Sequence, residues 1–300
     1  MNWVVMKHAK LFLLLGVGLF IAYMGIHAGT ENTSTGPDDK TAEAMIDGML
    51  EQWELGKPVP FLTPVYGDMT IDRAYEIQAM YDKKVARRLG PPSGYKVGYA
   101  SKAAQKQFGM DEPARGTFFL SRRTPNGTTL MSKDIMESAL ETEVAFTMKS
   151  RIKDPVKDVA SLRQYVQWVH ASFDIGEFRF ESTGPKGGVP DMVASGVGAH
   201  YFMLGPGKDP EKIDVNKLIL KLARNGDVIR ESPASEVMGN PWNSLLWCVN
   251  DVIKRGGVIQ PGMVILTGTA APGYRASGEE LKGVYEGDCG PLGKVTLEIQ

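Results

Sequence analysis

Two cysteines and four histidines among 300 residues leave little material for several familiar chemistries. Cys248 and Cys289 permit one disulfide in an oxidising compartment, or they are two buried thiols; their spacing makes no metal clip. His170 and His200 lie at no metal-ligand spacing from another histidine, and a lone histidine is more often a structural partner than a base. No Gly-x-Ser-x-Gly elbow occurs, which removes a serine-hydrolase mechanism. Gly184-Pro185-Lys186-Gly187-Gly188 lacks the spacing and the strand-to-helix setting of a phosphate loop and reads as a plain loop. An excess of one charge is missing as well. Lys and Arg total 34 against 35 Asp and Glu, so the formal net charge of -1 gives no footprint for nucleic acid and no acidic tail. Recognition must come from a local site. No fixed-period repeat is present either, which excludes a solenoid or propeller.

What is present begins with an apolar fraction of 43% beside 23% charged residues, the mixture of a packed globular chain. Lys7 and Lys10 precede an uncharged run from Leu11 to Ile26, followed by small residues at Ala28 and Gly29. That order predicts an exported protein: residues 1–28 form a signal peptide cut after Ala28, or a membrane anchor facing the periplasm. Residues 29–40 (GTENTSTGPDDK) contain no aliphatic or aromatic side chain and predict a solvated linker, with the folded part over 41–300.

Within that part, Ala42, Ile46, Met49, Leu50 and Trp53 fall at helical spacing, and a second helix is expected over 71–88 behind Thr70 as cap. Residues 93–100 (SGYKVGYA) read as a strand ending at Ser101, which caps a helix running to Phe108 before Gly109 stops it. A strand is expected over 139–148, then a helix from Val156 leading into a short strand over 173–180. Further short strands are expected over 201–204, 218–223, 228–230, 263–267 and 295–299, with one helix over 242–253 and a hairpin signal at Asn225-Gly226. The whole predicts one α+β domain.

Glu141 and Glu143 flank one residue, and alternate side chains of a strand share a face, so both carboxylates point the same way. Such a pair is usually the wet face of a strand, but the apolar neighbours Leu140, Val144 and Phe146 argue for burial, where two like charges need a cation or a proton. Asp174, between Phe173 and Ile175, would complete a three-oxygen site of the kind that suits Mg2+ or Mn2+. Glu177 competes for that role, its alternative being a surface ion pair with Arg179.

The order Gly94-Tyr95-Lys96-Val97-Gly98, Ser101 to Gly109, Pro113 and Gly116, and Leu140-Glu141-Thr142-Glu143 resembles the 2-oxopent-4-enoate hydratase and oxalocrotonate decarboxylase branch of the fumarylacetoacetate-hydrolase superfamily. Phe173-Asp174-Ile175 through Arg179, Asn225-Gly226, Met238-Gly239-Asn240-Pro241 with Trp247, and Ile265-Leu266-Thr267-Gly268 continue it over nearly all of 41–300. The resemblance implies a mixed, rolled β-sheet with flanking helices. It also implies a metal held by Glu141, Glu143 and Asp174, a small 2-oxo acid chelated through its carboxylate and 2-oxo group, Lys96 beside the enolate, and a homo-oligomer. Two departures stand out. Ala114 occupies the place of an acidic residue that would activate water, leaving Asp111 or Glu112 as substitutes, and Ser195-Gly196-Val197-Gly198 replaces a more polar stretch. The expected activity is that of a hydratase-like lyase on a dienoic 2-oxo acid. Decarboxylation, keto-enol tautomerisation, or capture of a 2-oxo acid without turnover are the alternatives.

Overall fold

The computed structural model describes residues 36–67, 69–181 and 187–300. The predicted signal or anchor lies outside them, and no helix among the described residues is long and apolar enough to cross a membrane. The strands are β1 (Pro92–Gly98), β2 (Ala114–Phe119), β3 (Arg123–Thr124), β4 (Thr129–Leu130), β5 (Glu137–Met148), β6 (Val166–Phe178), β7 (Tyr201–Leu204), β8 (Ile219–Arg224), β9 (Asp227–Pro233), β10 (Val264–Leu266), β11 (Tyr274–Ala276), β12 (Gly283–Asp288) and β13 (Lys294–Ile299). Helices α1 (Asp39–Glu54), α2 (Ile71–Leu89), α3 (Lys102–Phe108), α4 (Val159–Arg163), α5 (Val189–Ala194) and α6 (Pro241–Lys254) surround them.

The strands form two sheets. The larger runs β2-β1-β10-β5-β6-β7-β3, with β11 also paired to β5, and the smaller runs β4-β13-β12-β8-β9. Their facing surfaces are built by strict alternation. Leu140, Val144 and Phe146 of β5 and Phe173 and Ile175 of β6 enter one core with Leu220 and Leu222 of β8, Tyr285 of β12 and Val295 and Leu297 of β13. The opposite side chains of β5 and β6 therefore turn away from that core, and Glu141, Glu143 and Asp174 are among them. Mixed strand directions with flanking helices confirm the α+β class.

Local chemistry fixes the helix starts. Asp38 caps α1 by accepting from Thr41 N at 2.8 Å, Thr70 caps α2 by accepting from Arg73 N at 3.2 Å, and Ser101 caps α3 by accepting from Ala104 N at 3.2 Å. Helices α1 and α2 bury Ile46, Leu50, Ile77 and Val85 in a second core that also takes Phe119 and Val193. The two-residue turn at Asn225 (φ 52°) and Gly226 (φ 92°) joins β8 to β9, because only residues tolerant of positive φ fit a hairpin turn of that hand.

Three expectations are corrected. Order begins before residue 41: Gly36 and Pro37 are buried, Pro37 O accepts from Arg73 Nε at 2.9 Å and Nη2 at 2.7 Å, and α1 already begins at Asp39, while Asp38, Asp39 and Lys40 stay exposed. The helix expected from Val156 shrinks to the five residues of α4, after which the chain is already in β6 at Val166. Antiparallel pairing with β5, from Met148↔Val166 to Glu137↔Phe178, outweighs the helical spacing of residues 156–165, and Tyr165, Val166, Trp168 and Val169 are good strand formers. Strands β2 and β12 were absent from the sequence expectation. In β12 the run GVYEGD offers only Val284 and Tyr285 as strand formers, and its place comes from pairing with β8 and β13. Cys248 and Cys289 are buried free thiols, one of the two alternatives left open.

A single buried carboxylate ties the segment around residue 62 to α5. Asp191 accepts from Leu62 N, from Thr63 N at 3.0 Å, from Thr63 Oγ1 at 2.5 Å and from Gly188 N at 2.8 Å, with none of its surface exposed. Replacing it with Ala leaves buried donors unsatisfied, so Asp191→Ala should lose about 3 kcal/mol in denaturant unfolding, with Asp191→Asn losing less.

Candidate metal centre

Register places four charged side chains on one face. Glu141 pairs with Asp174, and Glu143 with Ser172, so both glutamates share a side with Asp174. Lys96 pairs with Leu266 across β1 and β10, and Leu266 with Ala145 across β10 and β5, which puts Lys96 on that same side. Because β10 ends at Leu266, the lysine stem passes its end and Nζ meets Asp174 Oδ2 in a buried ion pair. One carboxylate oxygen from each of Glu141, Glu143 and Asp174 lies within 4.8 Å of the others.

The next turn of chain holds this arrangement in place. Gly268 N donates to Glu143 Oε2 at 2.6 Å, and Thr267 N and Oγ1 both donate to Val144 O, at 3.0 and 2.9 Å. Gly268 has φ +85°, and a Cβ there would lie 2.5 Å from Ala100 Cβ and 2.8 Å from Val97 O, so no other residue fits. Gly273 returns over Glu141, where a Cβ would sit 3.0 Å from Oε1. The Ile265-Leu266-Thr267-Gly268 stretch thus carries a backbone donor to a carboxylate oxygen of Glu143. Gly273 had no sequence signal.

Electrostatics are those of an anionic cage. Glu143 and Asp174 are wholly buried and Lys96 is 6% exposed. Burial raises Glu141 to about 7, with Asp174 adding and Lys96 opposing. Glu143 is raised well above the ordinary glutamate range, by burial first and then by its two carboxylate neighbours. Asp174 is raised by burial against the pull of Lys96. For Lys96 burial acts downward, but Asp174 and the two glutamates outweigh it and keep the ammonium charged.

A divalent cation fits this donor set. Three carboxylates and one ammonium sum to a formal charge of -2, and Glu143 Oε1 and Asp174 Oδ1 are buried with no hydrogen-bond partner. Such orphaned oxygens are costly unless something binds them, and three hard oxygens suit a small divalent ion with positions left for water or substrate.

The remaining candidates are placed elsewhere. Asp111 is exposed in the bend after Gly109 and does not join the cluster, because β2 pairs with β1 only from Ala114 (opposite Gly98) onward and the chain before it runs out to solvent. Glu112 is likewise exposed and accepts from Trp247 Nε1 at 3.4 Å. Glu177 does pair with Arg179, but the pair is buried rather than on the surface, and Glu177 also accepts from Met136 N at 3.1 Å. His170 bridges Thr147 Oγ1 at 2.8 Å and Gly205 O at 2.9 Å, a structural role.

No family model matches the chain. Among curated proteins it is 24% identical over 234 residues to a 2-keto-4-pentenoate hydratase of Paraburkholderia xenovorans, covering 77% of this chain and 85% of that one. It is 25% identical over 234 residues to a 4-oxalocrotonate decarboxylase of a Pseudomonas species, covering 77% and 88%. It is also 26% identical over 255 residues to a 2-hydroxyhexa-2,4-dienoate hydratase of Comamonas testosteroni, covering 83% and 96%. Among solved structures, the 4-oxalocrotonate decarboxylase of Pseudomonas putida complexed with magnesium and adipate superposes with a TM-score of 0.81 at 19% identity, over 89% of this chain and all of that one. A fumarylacetoacetate hydrolase family protein of Yersinia pestis gives 0.51 at 12% identity, over 69% and 92%. The chain is a homologue of the 2-keto-4-pentenoate hydratase and 4-oxalocrotonate decarboxylase branch and carries the fumarylacetoacetate hydrolase fold.

Proposed function

We propose that this protein is a lyase acting on a small 2-oxo acid with Mg2+ or Mn2+ held by Glu141, Glu143 and Asp174. The observation that carries the reading is a trio of carboxylates, two of them wholly buried with unpartnered oxygens, beside one buried, charged lysine. The hydratases and decarboxylases to which the chain is similar, and the magnesium complex of its structural neighbour, support it. A bound divalent ion supplies Lewis-acid stabilisation of negative charge on the 2-oxo group. The chain's own residues do the rest. Lys96 Nζ holds a proton within reach of an enolate, Asp174 orients that ammonium, and Gly268 N fixes the rotamer of Glu143.

Hydration, decarboxylation and tautomerisation of such acids all pass through an enolate. One observation favours the second and third: Ala114 stands where a water-activating acid is expected, and Asp111 is turned to solvent. Decarboxylation needs no activated water. The charged residues ahead of an apolar run at the N-terminus support a site of action outside the cytoplasm, as an exported or anchored protein.

Calorimetric titration of Mg2+ and Mn2+, with oxalate as a dead-end mimic of a 2-oxo acid, tests the reading. Oxalate should bind only with metal present. Because outer-shell changes alone cost about 10- to 100-fold in metal affinity, Glu143→Gln should weaken metal binding by about 100-fold or more. A wild-type protein that takes up neither ion removes the enzyme reading.

A further inference from the structure

Buried polar atoms left without a hydrogen-bond partner gather in a second place besides the carboxylate trio. Asp82 Oδ1, Arg122 Nε and His200 Nε2 are all of this kind, and all three residues line one narrow cleft between α2 and the end of the larger sheet. Trp53, Tyr81, Arg179 and Ser195 are among its other walls.

The surroundings fix what each atom offers. His200 is 3% exposed, and its Nδ1 accepts from Arg179 Nη2 at 3.0 Å, so Nε2 carries the ring proton and is a donor. Burial, together with Arg179 and Arg122, holds this imidazole well below its usual range and hence neutral. Arg122 lies over the rings of Tyr201, at 4.6 Å, and Trp53, at 5.4 Å, but forms no ion pair among the described residues. Arg179, 4.0 Å from the Trp53 ring, is matched by Glu177. Asp82 Oδ2 accepts from Thr117 Oγ1 at 2.6 Å, which leaves Oδ1 as a free acceptor. Burial raises this carboxyl to about 6, so it is an incomplete counter-charge.

Two buried N–H donors and one acceptor on a single cleft, with Arg122 free of a carboxylate partner among the described residues and Glu177 Oε2 on the far side of the imidazole, 3.4 Å from His200 Nδ1, form a site for a small anion, since unmet buried donors are costly. We propose that this cleft binds a small oxyanion bearing one O–H, of the bicarbonate class, its oxygens accepting from Arg122 Nε and His200 Nε2 and its hydroxyl donating to Asp82 Oδ1. The narrowness of the cleft excludes larger acids. None of Lys96, Glu141, Glu143 and Asp174 lines the cleft, so occupancy needs no metal.

The test is titration of bicarbonate into the full protein in a constant chloride background, followed by tryptophan fluorescence and by thermal melting, with and without chelator. Saturable binding is expected in wild type and in Glu143→Gln alike. Arg122→Lys keeps a positive charge and most of the stem but loses Nε–H, and should weaken binding about tenfold, the loss expected of one charge-assisted hydrogen bond. His200→Phe, which keeps ring volume, should do the same, so the proposal does not rest on the folding of one variant. A response no greater than that of added chloride, or one unchanged in both variants, overturns it and leaves the cleft to water. Binding that disappears in Glu143→Gln also overturns it, because the anion would then sit at the metal centre.

Discussion

Lys96→Met should reduce turnover of a 2-oxo acid by about 100- to 10,000-fold while tightening metal binding, a combination that separates chemistry from assembly. Among the described residues the lysine is the one cation paired with the carboxylate cage, and its Nζ occupies Asp174 Oδ2. In the metal-free protein it plays the part of a resident counter-ion. Removing it takes the formal charge of the cage from -2 to -3, so an incoming divalent ion meets a stronger field and one competitor fewer. The proton that Lys96 holds is lost at the same time, and methionine cannot replace it. Lys96→Arg should not rescue turnover, since a guanidinium keeps its proton under all working conditions. Single-turnover rates at saturating Mn2+, beside a Mn2+ titration of each variant, give both quantities. Near wild-type turnover in Lys96→Met would reduce the lysine to a structural counter-charge and withdraw the mechanism built on it.

How much of this was legible beforehand depends on the range of the forces involved. The helix starts at Thr70 and Ser101 and the Asn225-Gly226 turn are written in three or four adjacent residues, and each stands where the sequence puts it. The shared face of Glu141 and Glu143 follows from strand period alone. That Asp174 lies directly opposite Glu141 is set by the register of β5 on β6, which local spacing does not encode, and the same long pairing turned an expected helix into strand. The lysine is further still, two strands from β5, and reaches the cage only because β10 stops at Leu266. Lys96 entered the reading through resemblance, and Asp174 through its apolar neighbours Phe173 and Ile175, neither through spacing. Asp111 failed for a related reason: its distance along the chain from Lys96 was short, but the pairing of β1 with β2 ends before it and leaves it in solvent. The sequence names His200 and the Ser195-Gly196 stretch singly but not the Arg122–His200 cleft, since its walls come from α1, α2, β2 and the segment after it, and the segments after β6 and before β7.

The metal-free and metal-loaded proteins should respond to pH in opposite directions, and Glu141 is the residue through which the difference is read. Its side chain is half-buried and its carboxyl is largely shielded from water beside Asp174, with a value of about 7 against an ordinary 4.5. Between those two values the unfolded chain has released a proton that the metal-free fold still holds. Stability therefore falls as pH rises through this window, because the folded state binds more protons than the unfolded one, and Glu143 and Asp174, raised in the same direction, add to the fall. A rise of this size corresponds to a loss on the order of 3 kcal/mol for one group. A bound divalent ion reverses the sign. It favours the ionised form of all three carboxylates, so the loaded protein gains stability as the protons that compete with the metal are removed, and loses it again on acidification. Melting curves of chelator-treated and Mg2+-loaded protein should accordingly lie close together near pH 5 and separate by several degrees near pH 8. Glu141→Gln should make the metal-free curve shallower, since an amide has no proton to release and Glu143 and Asp174 remain, and should also weaken the metal response. Parallel curves in wild type, with no separation at alkaline pH, would mean that these carboxylates are neutralised within the protein itself and hold no ion.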